Sequence, residues 1–361
     1  MQSTTKLGHI QSNDLKDIAD FVTSKINAYN VQVNPTMLIF FYFKSDNPDI
    51  EEKFEEIRKE LVPRGYIPFL QQREENVLIV THAPERKYRS NLVNLILFFL
   101  TLASTIFVGS EFSADFVRPG PLYDYKIVFD GFIYFSAPLL LILGLHELGH
   151  YLVAKKYNVR ASFPFFIPVP FSIGTFGAFI SIRDPIPNRK IMTEIGAAGP
   201  LVGFATAFPL LFVANYLQGV IHPVSDVVPF LVNFPLIYNI LGITVPHSQP
   251  LFPMVFAVWV GIFATAMNLL PISQLDGGHV ARGLLGSRAT ILGYAFTGFV
   301  LVISFYYPEW LILVFLALLM GLTHPPPLND YERVKNRDIA IGIVAMALFI
   351  LCFTIKPILS G

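Results

Sequence analysis

Long apolar runs fill the chain from about residue 92 to its end, whereas the residues before them mix charged and apolar positions. A helix that crosses a membrane needs about 20 mostly apolar residues. The proline-interrupted stretch over residues 226–245 and the tight turn near Pro308 leave the number of crossings open by one or two. We predict about seven spans, at residues 92–108, 127–154, 192–217, 251–272, 290–306, 309–322 and 338–355.

The first 90 residues carry shorter patterns that indicate a small α+β domain. We predict helices at residues 14–28 and 48–62, and strands at residues 36–43, 66–70 and 76–82. The fold class is therefore an all-α polytopic membrane protein with a small N-terminal α+β cytosolic domain, divided into residues 1–88 and 89–361. We assign the N-terminal domain no chemistry and interpret it as an accessory domain, with substrate gating or recognition as the alternative.

Composition supports a membrane protein, because 53% of the 361 residues are hydrophobic and only 14% are charged. Soluble domains are usually about 25% charged. The formal net charge of zero indicates no nucleic-acid partner. The single cysteine, Cys352, excludes an intrachain disulfide and a cysteine-rich metal site.

Basic residues predict the orientation of the chain in the membrane. Arg86, Lys87 and Arg89 precede the first apolar run, and Lys155 and Lys156 follow the second. Cytoplasmic loops carry an excess of Lys and Arg. We therefore expect a multi-pass protein of the cell membrane whose N-terminus is cytosolic, with its membrane address in the spans rather than in a cleaved signal.

Two histidines and a glutamate interrupt the apolar run over residues 131–154. His146 and His150 are four residues apart, which places both imidazoles on one helix face, with Glu147 beside them. This is the HExxH zinc pattern, in which the metal acidifies a bound water to a pKa of about 7 and the glutamate accepts its proton. A polar helix face that bonds to neighbouring spans is the weaker alternative, because ionised groups in a bilayer are costly.

A catalytic zinc site normally has three protein ligands, so a third residue is required. Asp276 directly follows an apolar span and lies, in the predicted topology, at the same membrane edge as His146 and His150. His279 is the rival ligand. A simple turn or helix cap is the alternative interpretation of Asp276 and the two glycines that follow it.

The two motifs together resemble those of the site-2 protease family of intramembrane zinc metalloproteases. These motifs are HELGH within one span and Asn268, Pro271, Asp276 and Gly277 after a later span. The resemblance covers about residues 127–290 and implies a catalytic core of three spans. It implies that His146, His150 and Asp276 bind one zinc ion and that Glu147 is the catalytic acid and base.

The resemblance also assigns a role to Asn268, which corresponds to the asparagine of the family motif. Its amide would donate a hydrogen bond to the developing oxyanion or orient the substrate carbonyl. A structural role, in which Asn268 hydrogen-bonds between helices, is the alternative.

The segment between the motifs, residues 163–182, is apolar but too rich in proline and glycine for a spanning helix. Irregular backbone at membrane depth survives only inside protein or along a watery cavity. The family has a comparable re-entrant β segment. We predict that residues 174–180 bind the substrate as an added strand, through Gly174, Phe176, Gly177 and Ala178, with a structural plug as the alternative.

Three further features have weaker functional interpretations. Gly196, Gly199 and Gly203 share one helix face, which predicts close helix packing. His324 is a candidate accessory residue of the site, although a rigid loop before three prolines is the preferred interpretation. We expect His222 and His247 to lie on the far side of the membrane, which makes them poor ligands.

We therefore expect a zinc endopeptidase whose partner is a membrane-anchored protein with a single span, unwound to a strand for cleavage. The first rival class is a secondary transporter, which would show paired halves with matching broken helices, and this chain shows no such symmetry. The second is a non-catalytic membrane chaperone or adaptor, which would not require Glu147. The substrate, its cleavage site and the oligomeric state are not predicted.

Overall fold

The computed structural model describes residues 12–34, 36–72, 75–84, 91–224, 231–245, 250–272 and 274–359. Arg86, Lys87, Arg89 and His247, which entered the sequence interpretation, lie outside these residues. The described chain is mostly helical, and it begins with a small domain that contains a β-sheet.

The N-terminal domain has two helices on a four-stranded antiparallel sheet of order β1-β2-β4-β3. Its elements are α1 Ser12–Lys25, β1 Ala28–Asn34, β2 Met37–Tyr42, α2 Ile50–Leu61, β3 Tyr66–Gln72 and β4 Asn76–His82. The predicted first helix ends three residues early, because residues from Ala28 onward form the edge strand β1. That strand has no fully buried side chain, so its sequence lacks the alternation that would have predicted it.

Among the described residues, four helices are long and apolar enough to cross a membrane. They are α3 Asn91–Phe116, the continuous helix Tyr125–Lys156, α6 Arg189–Val220 and the broken helix Asp276–Ser304. The second comprises α4 Tyr125–Gly131, a π-helical turn and α5 Ala137–Lys156, and the fourth comprises α9 Asp276–Leu285, a 3₁₀ turn and α10 Ala289–Ser304. These helices cover four of the seven predicted spans.

Shorter helices occupy the other three predicted spans. They are α8 Pro253–Asn268, α11 Leu311–Met320 and α12 Asn336–Cys352. The uncertain stretch over residues 226–245 contains only a two-residue strand, β7 Leu231–Val232, and one helical turn, α7 Leu236–Ile240, among its described residues. β7 pairs with β8 Ile358–Leu359 near the end of the chain.

The segment predicted to be non-helical forms a hairpin within residues 163–182. Its strands, β5 Phe165–Pro168 and β6 Thr175–Phe179, pair antiparallel, with Phe165 opposite Phe179. β5 packs against α3, and β6 lies beside α5. The hairpin is therefore enclosed by helices on the side of β5, as irregular backbone at membrane depth requires.

The sheet domain docks on the helical part through main-chain hydrogen bonds. Leu70 at the edge of β3 donates its N–H to the Leu328 carbonyl at 2.9 Å, and Leu328 donates to Ile186 at 3.0 Å. The Leu328 side chain is buried in the core of the sheet domain. Residues 328–329 therefore join the sheet to the start of α6, which places the two regions side by side.

Candidate metal centre

The HELGH residues lie on α5 and are buried within the helical part. His146, Glu147 and His150 are 3%, 6% and 4% exposed. One possible ligand atom from each of the three side chains lies within 4.8 Å of the others. Among the described residues, these three side chains form a group that could hold a metal ion. The helix periodicity therefore brings both imidazoles to one face, as the sequence predicted.

Asp276 reaches this group from the first residue of α9. Its Oδ2 atom lies 3.1 Å from His146 Nε2 and 3.2 Å from His150 Nε2. The chain turns tightly between α8 and α9, and this turn positions Asp276. The backbones are so close there that a Cβ at Gly277 would overlap the Leu269 carbonyl. Glycine is needed at this close backbone approach.

The two histidines and the aspartate fit a tetrahedral zinc ion. Zinc holds nitrogen and oxygen ligands at about 2.0–2.2 Å, so neighbouring ligand atoms lie about 3.3–3.6 Å apart around it. The His–Asp distances of 3.1 and 3.2 Å are close to that value. The nearer carboxylate oxygen of Glu147 is 4.0 Å from His146 Nε2, outside this ligand set.

The main chain of α6 fixes the orientation of His150. Its Nδ1 donates to the Ile195 carbonyl at 2.7 Å. Because a carbonyl can only accept, Nδ1 carries the proton and the Nε2 lone pair faces the metal position. Histidines that bind metals commonly have such a partner on the other ring nitrogen.

The glycines of α6 make room for the site. A Cβ at Gly199 would overlap the His150 ring, and one at Gly203 would lie 2.9 Å from His146 Nδ1. A Cβ at Gly196 would lie 2.6 Å from that of His279. The sequence predicted close packing at these glycines but missed that Gly199 and Gly203 pack against the two HELGH histidines.

Asn268, the last residue of α8, also reaches the centre. Its Nδ2 atom lies 3.4 Å from His146 Nε2. The side chain is half-buried, and its amide points at the space where His146 and Asp276 meet. Asn268 is therefore within reach of a substrate group bound there.

The hairpin residues divide into two groups. Gly174 is buried and packs on α3, since a Cβ there would lie 2.7 Å from Thr105 Cα, and Ala178 is 6% exposed. Phe176 is 67% exposed, and Gly177 has open space around its Cα. The enclosure of Gly174 and Ala178 differs from the substrate-facing position expected for all four residues.

Glu147 faces the end of this hairpin. The main chain of Ile180, one residue after β6, interacts with the Glu147 carboxylate. Within the described residues, β6 pairs with no strand other than β5. Its outer edge is thus unpaired close to the HELGH helix.

His279 and His324 lie together, beside the centre rather than in it. Their ring centres are 4.4 Å apart. His279 Nδ1 donates to the Leu275 carbonyl, and burial lowers the pKa of His324 to about 4. The structure thus brings Asp276, and not the rival His279, to the two HELGH histidines. His222 lies beyond the far end of α6 and is exposed.

Comparison with known proteins identifies the domain that carries this centre. Residues 134–306 match the model of peptidase family M50. The region that carries the candidate centre is thus similar to peptidase family M50. This confirms the resemblance to the site-2 proteases, which rested on HELGH and the motif around Asp276.

Several chloroplast proteins of plants are similar to this chain. A probable zinc metalloprotease EGY1 of Oryza sativa subsp. japonica is 32% identical over 237 residues, which are 58% of this chain and 40% of that protein. The Arabidopsis thaliana EGY1 is 29% identical over 302 residues, 74% of this chain and 53% of that protein. The Arabidopsis EGY2, also named a probable zinc metalloprotease, is 29% identical over 227 residues, 58% of this chain and 39% of that protein. This chain thus spans only about two fifths to one half of the length of these relatives.

Proposed function

We propose that this chain is a zinc-dependent endopeptidase that cleaves membrane-anchored proteins within or near the bilayer. The observation that carries the proposal is that Asp276, from the start of α9, meets His146 and His150 of the apolar helix α5, with its Oδ2 within 3.2 Å of both imidazoles. Three such ligands around one position make a catalytic zinc site. The names of the plant relatives as probable zinc metalloproteases support the same activity.

Each residue of the centre has a distinct part in the proposed reaction. His146, His150 and Asp276 would hold one zinc ion, which when bound acidifies a water molecule and polarises the substrate carbonyl. Glu147 would accept the proton of the attacking water and deliver it to the leaving amine. Its position outside the ligand set, 4.0 Å from His146 Nε2, leaves its carboxylate available for this transfer.

Asn268 would stabilise the charge that develops on the substrate oxygen. Its amide is 3.4 Å from His146 Nε2, so a carbonyl bound at the centre would lie within its reach. A fixed donor aimed at a developing oxyanion is among the strongest contributions to catalysis of acyl transfer.

The substrate would bind as a strand on the outer edge of β6. A helical substrate hides its carbonyls in its own hydrogen bonds, so it has to be extended before hydrolysis. The unpaired edge beside Glu147 offers main-chain partners for the extended form. Phe176, which is exposed, and Gly177, which has open space beside its Cα, are the residues of this strand that a substrate would contact.

The location of the protein follows from the predicted spans and basic loops. The centre lies between α5, α6 and the start of α9, next to the basic residues Lys155 and Lys156. Positive loop charges favour the cytoplasmic side. We therefore propose an integral, multi-pass enzyme of the cell membrane, whose centre water reaches from the cytosol.

Cleavage of a membrane-anchored reporter by detergent-purified protein tests the function. Wild type and Glu147→Gln are compared, and zinc bound to each is measured in the same samples. Glutamine keeps the shape of glutamate but cannot accept the proton. We expect zinc in both proteins and cleavage reduced by at least about 100-fold in the variant, in line with the 10²–10⁴-fold contribution of general base catalysis.

The other outcomes separate the parts of the proposal. Equal cleavage by both proteins would contradict the role of Glu147. Absence of zinc from both proteins, after purification in zinc-containing buffer, would contradict the metal centre itself. A matched control, Glu309→Gln at the α10–α11 turn, changes an exposed glutamate and is expected to cleave like the wild type.

A further inference from the structure

A second pair of histidines lies outside the metal centre. The rings of His279 and His324 are in contact there. His279 is on α9, one turn after Asp276, and His324 is in the loop between α11 and α12. Their rings are 4.4 Å apart at an interplanar angle of 77°. The HELGH histidines form a similar pair, with rings 5.1 Å apart at 65°.

Both rings are held in the same tautomer by the main chain. His279 Nδ1 contacts the Leu275 carbonyl at 3.1 Å, and His324 Nδ1 contacts the Pro325 carbonyl at 2.7 Å. Since a carbonyl can only accept, each Nδ1 carries the proton and each Nε2 carries a lone pair. His150 has the same arrangement with Ile195, and it is typical of metal-binding histidines.

The Nε2 lone pair of His324 accepts no hydrogen bond from the described residues. The Nε2 atom itself is buried. Buried polar atoms are almost always paired, so an unpaired acceptor indicates a missing donor or cation. This observation is separate from the edge-to-face contact of the two rings.

The pair opens into a cavity of about 630 Å³ between the sheet domain and the helical part. The cavity wall includes His279, His324 and Gln274, but not the HELGH histidines. There is space for a hydrated ion, and Gln274 has a carbonyl oxygen to offer. The site is therefore separate from the metal centre.

The spacing of the rings distinguishes the two pairs. When both Nε2 atoms of a pair face one ion at 2.0–2.1 Å, each imidazole centre lies about 3.2 Å from that ion. Ring centres 5.1 Å apart then subtend about 105° at the ion, and ring centres 4.4 Å apart about 87°. The first angle suits tetrahedral zinc. The second suits the right-angled ligands of square-planar or octahedral ions such as Cu²⁺ and Ni²⁺.

We propose that His279 and His324 form a second metal site, which binds a divalent d-block cation through two imidazoles at a right angle. Water and the Gln274 side chain supply the other ligands. An ion at this site links α9, which carries Asp276, to the loop that leads to residues 328–329 and the sheet domain. The proposal does not depend on the peptidase activity.

Copper binding to the zinc-loaded full chain in detergent tests the second site. One equivalent of Cu²⁺ is added, pulsed electron paramagnetic resonance counts the imidazoles bound to copper, and zinc is measured in the same samples. We expect two imidazoles on copper with zinc retained. Cu²⁺ is the probe because it binds nitrogen ligands most tightly among the first-row divalent ions.

Variants assign the signal to residues. His324→Ala is expected to weaken Cu²⁺ binding at least tenfold and to lose the two-imidazole signal while it keeps its zinc, which also shows that it is folded. The matched control is His222→Ala, which removes an exposed histidine beyond the end of α6 and should leave the signal unchanged.

Three results would overturn the second site. These are fewer than two imidazoles on copper in the wild type, a two-imidazole signal that arises only as zinc is lost, and an unchanged signal in His324→Ala. The first of them needs no variant, so the test does not depend on the folding of His324→Ala. None of the three bears on hydrolysis by the Glu147 centre.

Discussion

The metal centre and the N-terminal sheet domain are stabilised in different ways. At the centre, the helices pack closely because glycines of α6 face the histidine rings. The buried polar groups there pair with one another, as His150 does with the Ile195 carbonyl and Asp276. The sheet domain has an ordinary apolar core, to which Phe40 and Leu328 belong. A small change of volume should therefore disturb chemistry in the first region and stability in the second.

The largest effect is expected from loss of a carboxylate at the centre. Asp276→Ala removes the oxygen that lies within 3.2 Å of both imidazoles. Outer-shell partners of a metal are worth 10–100-fold in affinity, so loss of a ligand should weaken zinc binding by more than about 100-fold. Competition with a zinc chelator measures the change.

His279→Ala is the comparison for that measurement. The His279 ring contacts His324, and its Nδ1 donates to the Leu275 carbonyl, so the zinc held by the three proposed ligands should remain. Zinc that is lost from His279→Ala and kept by Asp276→Ala would reverse the assignment of the third ligand.

A single methyl group tests the close approach of α6. In Gly199→Ala, the new Cβ overlaps the His150 ring and forces the imidazole or the helix to move. We expect zinc affinity to fall by about 10–100-fold, as for other changes that disturb the orientation of a ligand. Cleavage of the reporter should fall with it.

Gly219→Ala is a matched control on the same helix. Nothing lies within 4 Å of the position of its added Cβ. Alanine favours the helix by up to about 1 kcal/mol over glycine, so this variant should bind zinc normally and be at least as stable. Equal behaviour of the two variants would refute the proposed crowding at Gly199.

The smallest effect on chemistry is expected in the sheet domain. Leu328 is 1% exposed, and Leu→Ala changes in a core cost about 2–5 kcal/mol in the free energy of unfolding. Leu328→Ala should therefore speed hydrogen exchange of the β3 and β4 amides while zinc content stays constant.

Leu319→Ala on α11 is the matched control for Leu328→Ala. Its side chain is 72% exposed on the helical part, so its loss leaves no cavity. Exchange in the sheet domain should match the wild type. Loss of zinc from Leu328→Ala would instead show that docking of the sheet domain supports the metal centre.

Local sequence patterns predicted much of this molecule. The HELGH spacing anticipated two buried imidazoles on one helix face, and each predicted span has a helix. The proline and glycine content of residues 163–182 anticipated a non-helical segment, and the hairpin confirms it. The seven crossings stay a prediction, because in the part of the chain that the structure describes only four helices have the length and apolarity to span a membrane.

Other features depend on contacts that no local pattern encodes. The edge strand β1 has weak alternation because most of its side chains are in solvent. Gly174 was grouped with a substrate-binding strand, but its neighbour in space is Thr105 of α3. The attachment of Leu70 to Leu328 joins main-chain groups, which carry no side-chain signal.

The sequence by itself determined the apolar spans, the small α+β domain and the residue types of the candidate centre, because these follow from local periodicity and from residue types with few alternative uses. Only the tertiary structure decided that Asp276 and not His279 meets the two imidazoles, that Gly199 accommodates His150, and that His279 faces His324. The physical reason is that each of these facts is a distance between separate helices or loops. Such distances are set by close packing of backbones, which depends on the whole arrangement of the helices.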